Sequence, residues 1–464
     1  MAEGEKKKEG KKGGGGSVAD SIAGTIKEYW PWFLVLLLIY LIWEFNLVKG
    51  FLALLGVIAL GKIAWVMWVH YIQQDFISGI DFVLLEIVPP REVLRSPKAM
   101  ELFITNALFH WSMKGGKEEY WQGAVWFWFS LEIASIDGIV HFYIRTPTRI
   151  RGLVETQMYA QYPQAQVKAV EDYTLAVDEI SPKSAWNGWG CEFKLTRPEA
   201  FPIKTYVDFG LDKDPKEEFK VDPVSPIVEL FGSLKKGEQM WLQIVITPSK
   251  KTWHTRGTLI GKHDWIAESR FEMERWLKPY TRLQMGIDGG TAKEIRPPDA
   301  YKNALTAMNL KTGKLGFETG IRVVYMAKKE VFDMSSRRNL RLVFRQFARP
   351  DCNELYRFNS AQGDFYGGVF TASAETVMML ANRMLNEFRE RAFFHLPLRH
   401  HLFSKSVWHW PFDAFINAYA HHITFVLNTE ELATLWHFPG QILKVPTLTR
   451  IESKEASPPP NLPT

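Results

Sequence analysis

The stretch Trp128–Pro147 reads WFSLEIASIDGIVHFYIRTP and decides the fold class. From Phe129 to Ser135 apolar and polar residues alternate, the period of a strand with one face toward a core. Asp137-Gly138 follows, a pair suited to the positive φ angles of a two-residue hairpin turn. Ile139 to Arg145 gives the returning strand, and Pro147, which has no N–H for a ladder, breaks it. Arg149 to Tyr162 has helical spacing with Ile150, Leu153, Val154 and Met158 inward. Pro163 ends the helix, and Ala165 to Tyr173 supplies a third strand. A β-β-α-β run of this size predicts a small α+β sandwich of ferredoxin-like type.

A second unit repeats the theme. SPIVELFGSL, Ser225 to Leu234, predicts a short helix with Ser225 as N-cap and Pro226 at the first helical position. After Lys235-Lys236-Gly237 comes the strand EQMWLQIVITP. Residues 256–300 lose periodicity and end in GIDGGTAKEIRPP, an insertion and linker. Then LGFETGIRVVYMAKK and SSRRNLRLVFRQFAR give strand and helix once more. The expected body is two related α+β halves, 126–255 and 301–445, with a Pro-rich tail at 446–464.

Bulk properties agree with an ordered chain. Of 464 residues, 46% are hydrophobic and 23% charged, enough apolar material for more than one core. A net charge of +5 is too mild to imply nucleic acid by itself. Cys191 and Cys352 are the only cysteines, which excludes a disulfide framework and points to a reducing compartment.

Upstream of the body lie a charged, Gly-rich tail at 1–28 and two apolar stretches, Trp30–Val48 and Phe51–Val69. Each approaches the ~20 residues that span a bilayer core, so a transmembrane helix hairpin is expected over 29–72, followed by a helical juxtamembrane linker at 73–125. Glu44 and Lys62 fall inside these stretches. In a tight hairpin Glu44 stands roughly 6 Å from the turn and Lys62 about 20 Å, so the two do not meet within one chain. Snorkelling to an interface, a polar contact with another membrane subunit and an ion path are the readings open to them. Lys6, Lys7, Lys8, Lys11, Lys12 and Lys27 precede the first stretch, which places the N-terminus and the body on the cytoplasmic side of the cytoplasmic membrane.

Motifs for chemistry are scarce. GTLIGKH, Gly257 to His263, is one residue short of a phosphate-binding loop and has His263 where a Ser or Thr should hold Mg²⁺. The late histidines, His395, His400, His401, His409, His421, His422 and His437, lack the i, i+4 pairing of a helical metal site, so aromatic-rich packing is the plainer reading. No metal, cofactor or catalytic residue is expected. Arg337, Arg341, Arg345 and Arg349 recur every four residues beside the apolar stripe Leu340, Val343, Phe344 and Phe347. That line of charge is either a solvated face or a contact for an acidic protein, anionic lipid or DNA phosphate. LNTEELATLWHFPG, Leu427 to Gly440, reads as a capped helix: Asn428 or Thr429 at the N-cap, Glu430 and Glu431 in the first turn, Leu432, Leu435 and Trp436 inward, Pro439-Gly440 as the stop. Tertiary packing accounts for it; a docking surface that includes Trp436 and His437 is the functional alternative.

Several blocks carry a resemblance. PREVLRSPKAMELF, WFSLEIASIDGIVHFYIRTP, LVETQMYAQYPQAQVKAVEDYT, KKGEQMWLQIVITP, GFETGIRVVYMAK and LNTEELATLWHFPG…VPTLTRIESKEASPPPNLP resemble the uncharacterised bacterial N-terminal region found ahead of conjugation-type (type IV secretion, TraC-like) ATPase domains. In that family the proline stretch leads into a RecA-like ATPase. Here the sequence stops at Thr464, where that domain would begin, so the motor is expected to be encoded separately and to dock, or to be lost in this paralogue. No ATPase residue can be carried over. The resemblance implies a membrane-anchored, non-catalytic component of a secretion or conjugation-like machine that positions the ATPase, in an oligomer with other subunits. A membrane-linked binding module for DNA or anionic lipid is the alternative.

Overall fold

The computed structural model describes residues 32–41, 47–90, 95–109, 115–213, 221–249, 264–284, 298–358, 360, 374–391, 393–395 and 424–440. They fall into two compact units, 1–69 and 70–464. In the first, residues 32–41 are helical and their apolar side chains from Trp32 to Leu41 are exposed. A second helix, Leu47–Ser78, carries Lys49 and Lys62 and ends in the mixed sequence HYIQQDFIS. Among the described residues no helix is long and apolar enough to cross a membrane. The expected two-span hairpin is overturned, and the placement on the cytoplasmic membrane that rested on it falls too.

The second unit is α+β, built on one antiparallel sheet of nine strands. In chain order these are β1 (Phe82–Val88), β2 (Phe129–Ile136), β3 (Ile139–Pro147), β4 (Gln166–Val170), β5 (Trp186–Leu195), β6 (Glu238–Pro248), β7 (Gly316–Lys328), β8 (Leu355–Phe358) and β9 (Phe425–Asn428). The spatial order is β4-β1-β3-β2-β6-β7-β5-β8, with β9 on β7. The two related α+β halves expected at 126–255 and 301–445 share one continuous sheet. The order nonetheless repeats about its centre. Strands β1 to β4, with helices at Lys98–Phe103 and Arg151–Gln161, form one β-α-β-β-α-β unit. Strands β5 to β8, with helices at Ser225–Gly232 and Met334–Val343, form a second. The two meet where β2 pairs with β6, Phe129 opposite Ile246 through Ile136 opposite Gln239. Strand β1, in the region read as a linker, is central to the first unit; its near-continuous apolar run FVLLEIV hides the alternation that betrays β2.

The Asp137-Gly138 turn forms with φ of 54° and 85°. Gly138 is required there twice over, because a Cβ would stand 2.5 Å from the Leu234 carbonyl oxygen. Where the first unit turns in these two residues, the second passes from β6 to β7 through a long insertion that includes the helices Trp265–Gln284 and Asp299–Thr312.

Successive side chains alternate across the sheet. On one face Phe142 packs edge-on to Trp436, and Phe193 meets Phe344 at 4.4 Å. On the other, the helix Ala374–Glu390 lies over β5 and β7. Its Phe388 ring is 5.3 Å from Trp241.

Candidate functional site: a polar row and the segment that closes the sheet

The face beneath the helix Ala374–Glu390 carries one row of polar residues that crosses every strand but the shortest. The pairings run Lys168 to Glu86, Glu86 to Tyr143, Tyr143 to Glu132, Glu132 to Gln243, Gln243 to Arg322 and Arg322 to Glu192. The row is laid out symmetrically about the β2–β6 seam, with Glu86 and Glu192 at equal steps from it.

Its central members are buried and hydrogen-bonded, as buried charge must be. Glu132, fully buried, accepts from Ser130 Oγ at 2.6 Å, Tyr173 Oη at 2.9 Å, Gln243 Nε2 at 3.3 Å and Arg391 Nε at 3.0 Å. Arg391 also donates to Asp172. Burial works against the charge of Asp172, but the Arg391 guanidinium and Thr174 outweigh it and hold the carboxyl below its ordinary range. Burial and the charge of Glu132 together push the Tyr173 hydroxyl well up. It therefore stays a proton donor. In the second unit Arg322 donates to Glu192 at 2.6 Å and to Glu387 at 3.4 Å, and Arg383 braces Glu387 at 2.7 Å. At the open end His141 Nδ1 and Glu86 Oε1 lie 2.7 Å apart.

Arg391 follows the last turn of its helix with φ 52°, the left-handed conformation normally left to glycine. The side chain explains the exception, since no glycine could reach Glu132 and Asp172.

The segment 424–440 closes the opposite face and is tied to both the β1–β4 half and the β5–β8 half. Asn428 and Glu431 form a capping box: Asn428 Oδ1 accepts from the Glu431 amide at 2.8 Å, and Glu431 Oε2 accepts from the Asn428 amide at 2.9 Å. Glu431 further accepts from the Ile203 amide at 2.9 Å and pairs with Lys311 at 3.0 Å, both side chains fully buried. Thr429 donates to Glu101 at 3.2 Å, and Lys314 bridges Glu101 and Glu430 at 2.6 and 2.7 Å.

The residues singled out from the sequence are distributed as follows. Trp436 is fully buried, its indole Nε1 donating to the Glu132 carbonyl at 3.3 Å. His437 is buried too; Nδ1 donates to the Ala433 carbonyl at 2.8 Å and Nε2 faces Asp222 at 3.1 Å. Neither offers a surface. The four arginine positions do not lie on one continuous α-helix. Arg337 and Arg341 lie on the helix Met334–Val343, whose α geometry stops there. Arg345 is exposed on a 3₁₀ turn, Phe344–Phe347, and Arg349 is drawn aside to Asp208 at 3.3 Å and Asp351 at 3.1 Å. Lys62 lies on the helix Leu47–Ser78, and Glu44 lies outside the described residues. Among the described residues no group of His, Cys, Asp and Glu is arranged to hold a metal ion. Of the late histidines, only His395 and His437 are described.

The sequence did carry a signal for the row: β1, β2, β5, β6 and β7 each hold a charged or amide residue at mid-strand, flanked by apolar neighbours. Residues 127–447 match the model of a family described as Domain of unknown function (DUF8128). The chain belongs to this family. The DUF8128 match takes in the β2–β6 seam, the second unit and the whole closing segment, and leaves β1 and the helix Lys98–Phe103 outside. No curated protein matches the chain.

Proposed function

We propose that this DUF8128 protein is a non-catalytic docking body that positions a RecA-like ATPase in a conjugation or type IV secretion-like machine. The resemblance of the sequence blocks to regions ahead of such ATPases supplies the nature of the partner. One observation carries the mechanical part: the closing segment is bound to the β1–β4 half of the sheet domain through Glu101 and Glu132 and to the β5–β8 half through Ile203 and Lys311. A partner engaged at or beyond Gly440 is thus held to a stiff frame, and force on it spreads into the sheet. The buried carboxylates of the row are engaged by arginine, tyrosine and amide donors, an arrangement suited to rigidity.

The test uses the full chain and a version cut after Gly440, which keeps every contact above. The full chain is expected to retain a purified conjugation-type RecA-like ATPase on a pull-down matrix, and the shortened chain to lose it. ATP turnover by the chain alone, or equal retention by the two forms, would refute the reading.

A further inference from the structure

Arg145 stands outside the row and its partners. It lies on β3 between Leu84 of β1 and Ser130 of β2. Its guanidinium carbon is 3.9 Å from the centroid of the Phe82 ring. The carboxylates of its neighbourhood are already taken: Glu132 and Asp172 both receive Arg391, and the Ser130 hydroxyl donates to Glu132. Among the described residues the Arg145 guanidinium makes no hydrogen bond or ion pair, although it is only partly exposed. Burial first, and the positive charge of Arg391 second, bring its pKa down to about 10 despite Glu132 and Asp172. A guanidinium held on an aromatic face, with its fork of donors unspent, is the usual grip for an oxyanion.

A second donor stands at the same ring. Trp128 packs on Phe82 with centroids 5.0 Å apart and is 7% exposed. Its indole Nε1 is buried and has no acceptor among the described residues. The buried indole N–H groups of Trp241 and Trp276 also have no acceptor among the described residues; Trp128 is set apart by sharing the Phe82 ring with a guanidinium.

We propose that Arg145 and Trp128, set around Phe82, form a binding site for an oxyanion, a carboxylate or phosphate group. Arg145 supplies charge and paired N–H donors; Trp128 supplies a neutral N–H. An anion accepting from both groups would satisfy them. The site is independent of the docking role and of the arginines at 337–349.

The experiment is a titration of the ¹⁵N-labelled full chain with inorganic phosphate and, separately, with acetate, at ionic strength fixed with chloride. The Trp128 indole signal, assigned from Trp128→Phe, and the Arg145 Nε–H signal are expected to shift together and saturate with at least one anion. Saturation by phosphate alone assigns a tetrahedral ligand, and by acetate alone a carboxylate. Arg145→Lys should weaken binding about tenfold, because a point charge replaces a fork. Arg145→Met should abolish the shift while the other indole signals keep their dispersion. If Arg145→Met fails to fold, the wild-type and Arg145→Lys titrations decide. No saturable shift with either anion, an adventitious linear drift only, or the same affinity in Arg145→Lys and wild type would overturn the site.

Discussion

Arg391 and Glu132, 259 positions apart in sequence, share two hydrogen bonds: Nε to Oε1 at 3.0 Å and Nη2 to Oε2 at 3.2 Å. Arg391 makes them from a backbone at φ 52°. Favourable pairing and unfavourable backbone thus reside in one residue, and substitution can separate them. Arg391→Ala leaves Glu132 buried without its cation and should destabilise by about 3–5 kcal/mol. Arg391→Gly loses the same pair but relieves the backbone, so it should be more stable than Arg391→Ala by about 1 kcal/mol. Urea unfolding of both variants checks this; equal midpoints would show that no backbone cost is held at 391.

Lys311 and Glu431 pose the same question without a backbone component. Lys311→Met strands a fully buried carboxylate and should cost about 3–5 kcal/mol. Adding Glu431→Leu removes the stranded charge and should recover part of the loss, although the Ile203 and Asn428 amides then lack an acceptor. A double-mutant cycle by chemical denaturation gives the coupling, and strictly additive losses would argue against a paired role.

Acid should loosen the closing segment through Asp222. Burial raises the pKa of that carboxyl, but His437 and the amides of Val224 and Gly440 together bring it below the ordinary 3.8. A carboxylate whose folded value is depressed contributes stability above the unfolded value and loses it as pH falls through the folded value. Melting temperature should therefore drop on acidification below about pH 4 in wild type. Asp222→Asn should start lower and show a shallower drop across the same range. Parallel curves for the two proteins would remove Asp222 from the acid transition.

Trp436 tests whether the closing segment is frame or surface. Its ring is fully buried among Phe142 and Phe438. Trp436→Ala should cost about 3–5 kcal/mol and lower the melting temperature of the whole second unit. Partner capture should fall only in step with unfolding. Loss of capture from a variant of unchanged stability would instead make Trp436 a contact residue.

Local signals in the sequence were dependable where the chain solves its problem locally. Asp137-Gly138 with flanking alternation gave the hairpin and Asn428 with Glu431 gave the capped helix; Ser225-Pro226 gave a helix, but its N-cap is Val224, with Ser225 the first helical residue instead of the cap. What escaped was non-local. The pairing of β2 with β6 joins residues more than a hundred positions apart, and nothing in either strand names its neighbour. Nothing in the sequence around Arg391 points to Glu132, 259 positions away. The arginine spacing at 337–349 is genuine as text, but a line of four needs unbroken α geometry, and the helix tightens into a 3₁₀ turn after Val343. The hydrophobicity at 30–69 suggests two spans, and the described helices do not meet that requirement.

The transverse row also acts as a proofreader. Were any central strand to pair one residue out of step, its lone polar member would swing to the oily side and an aliphatic neighbour would face the arginines. Each misalignment is thus penalised twice, and only one alignment of the whole array lets every glutamate find its cation.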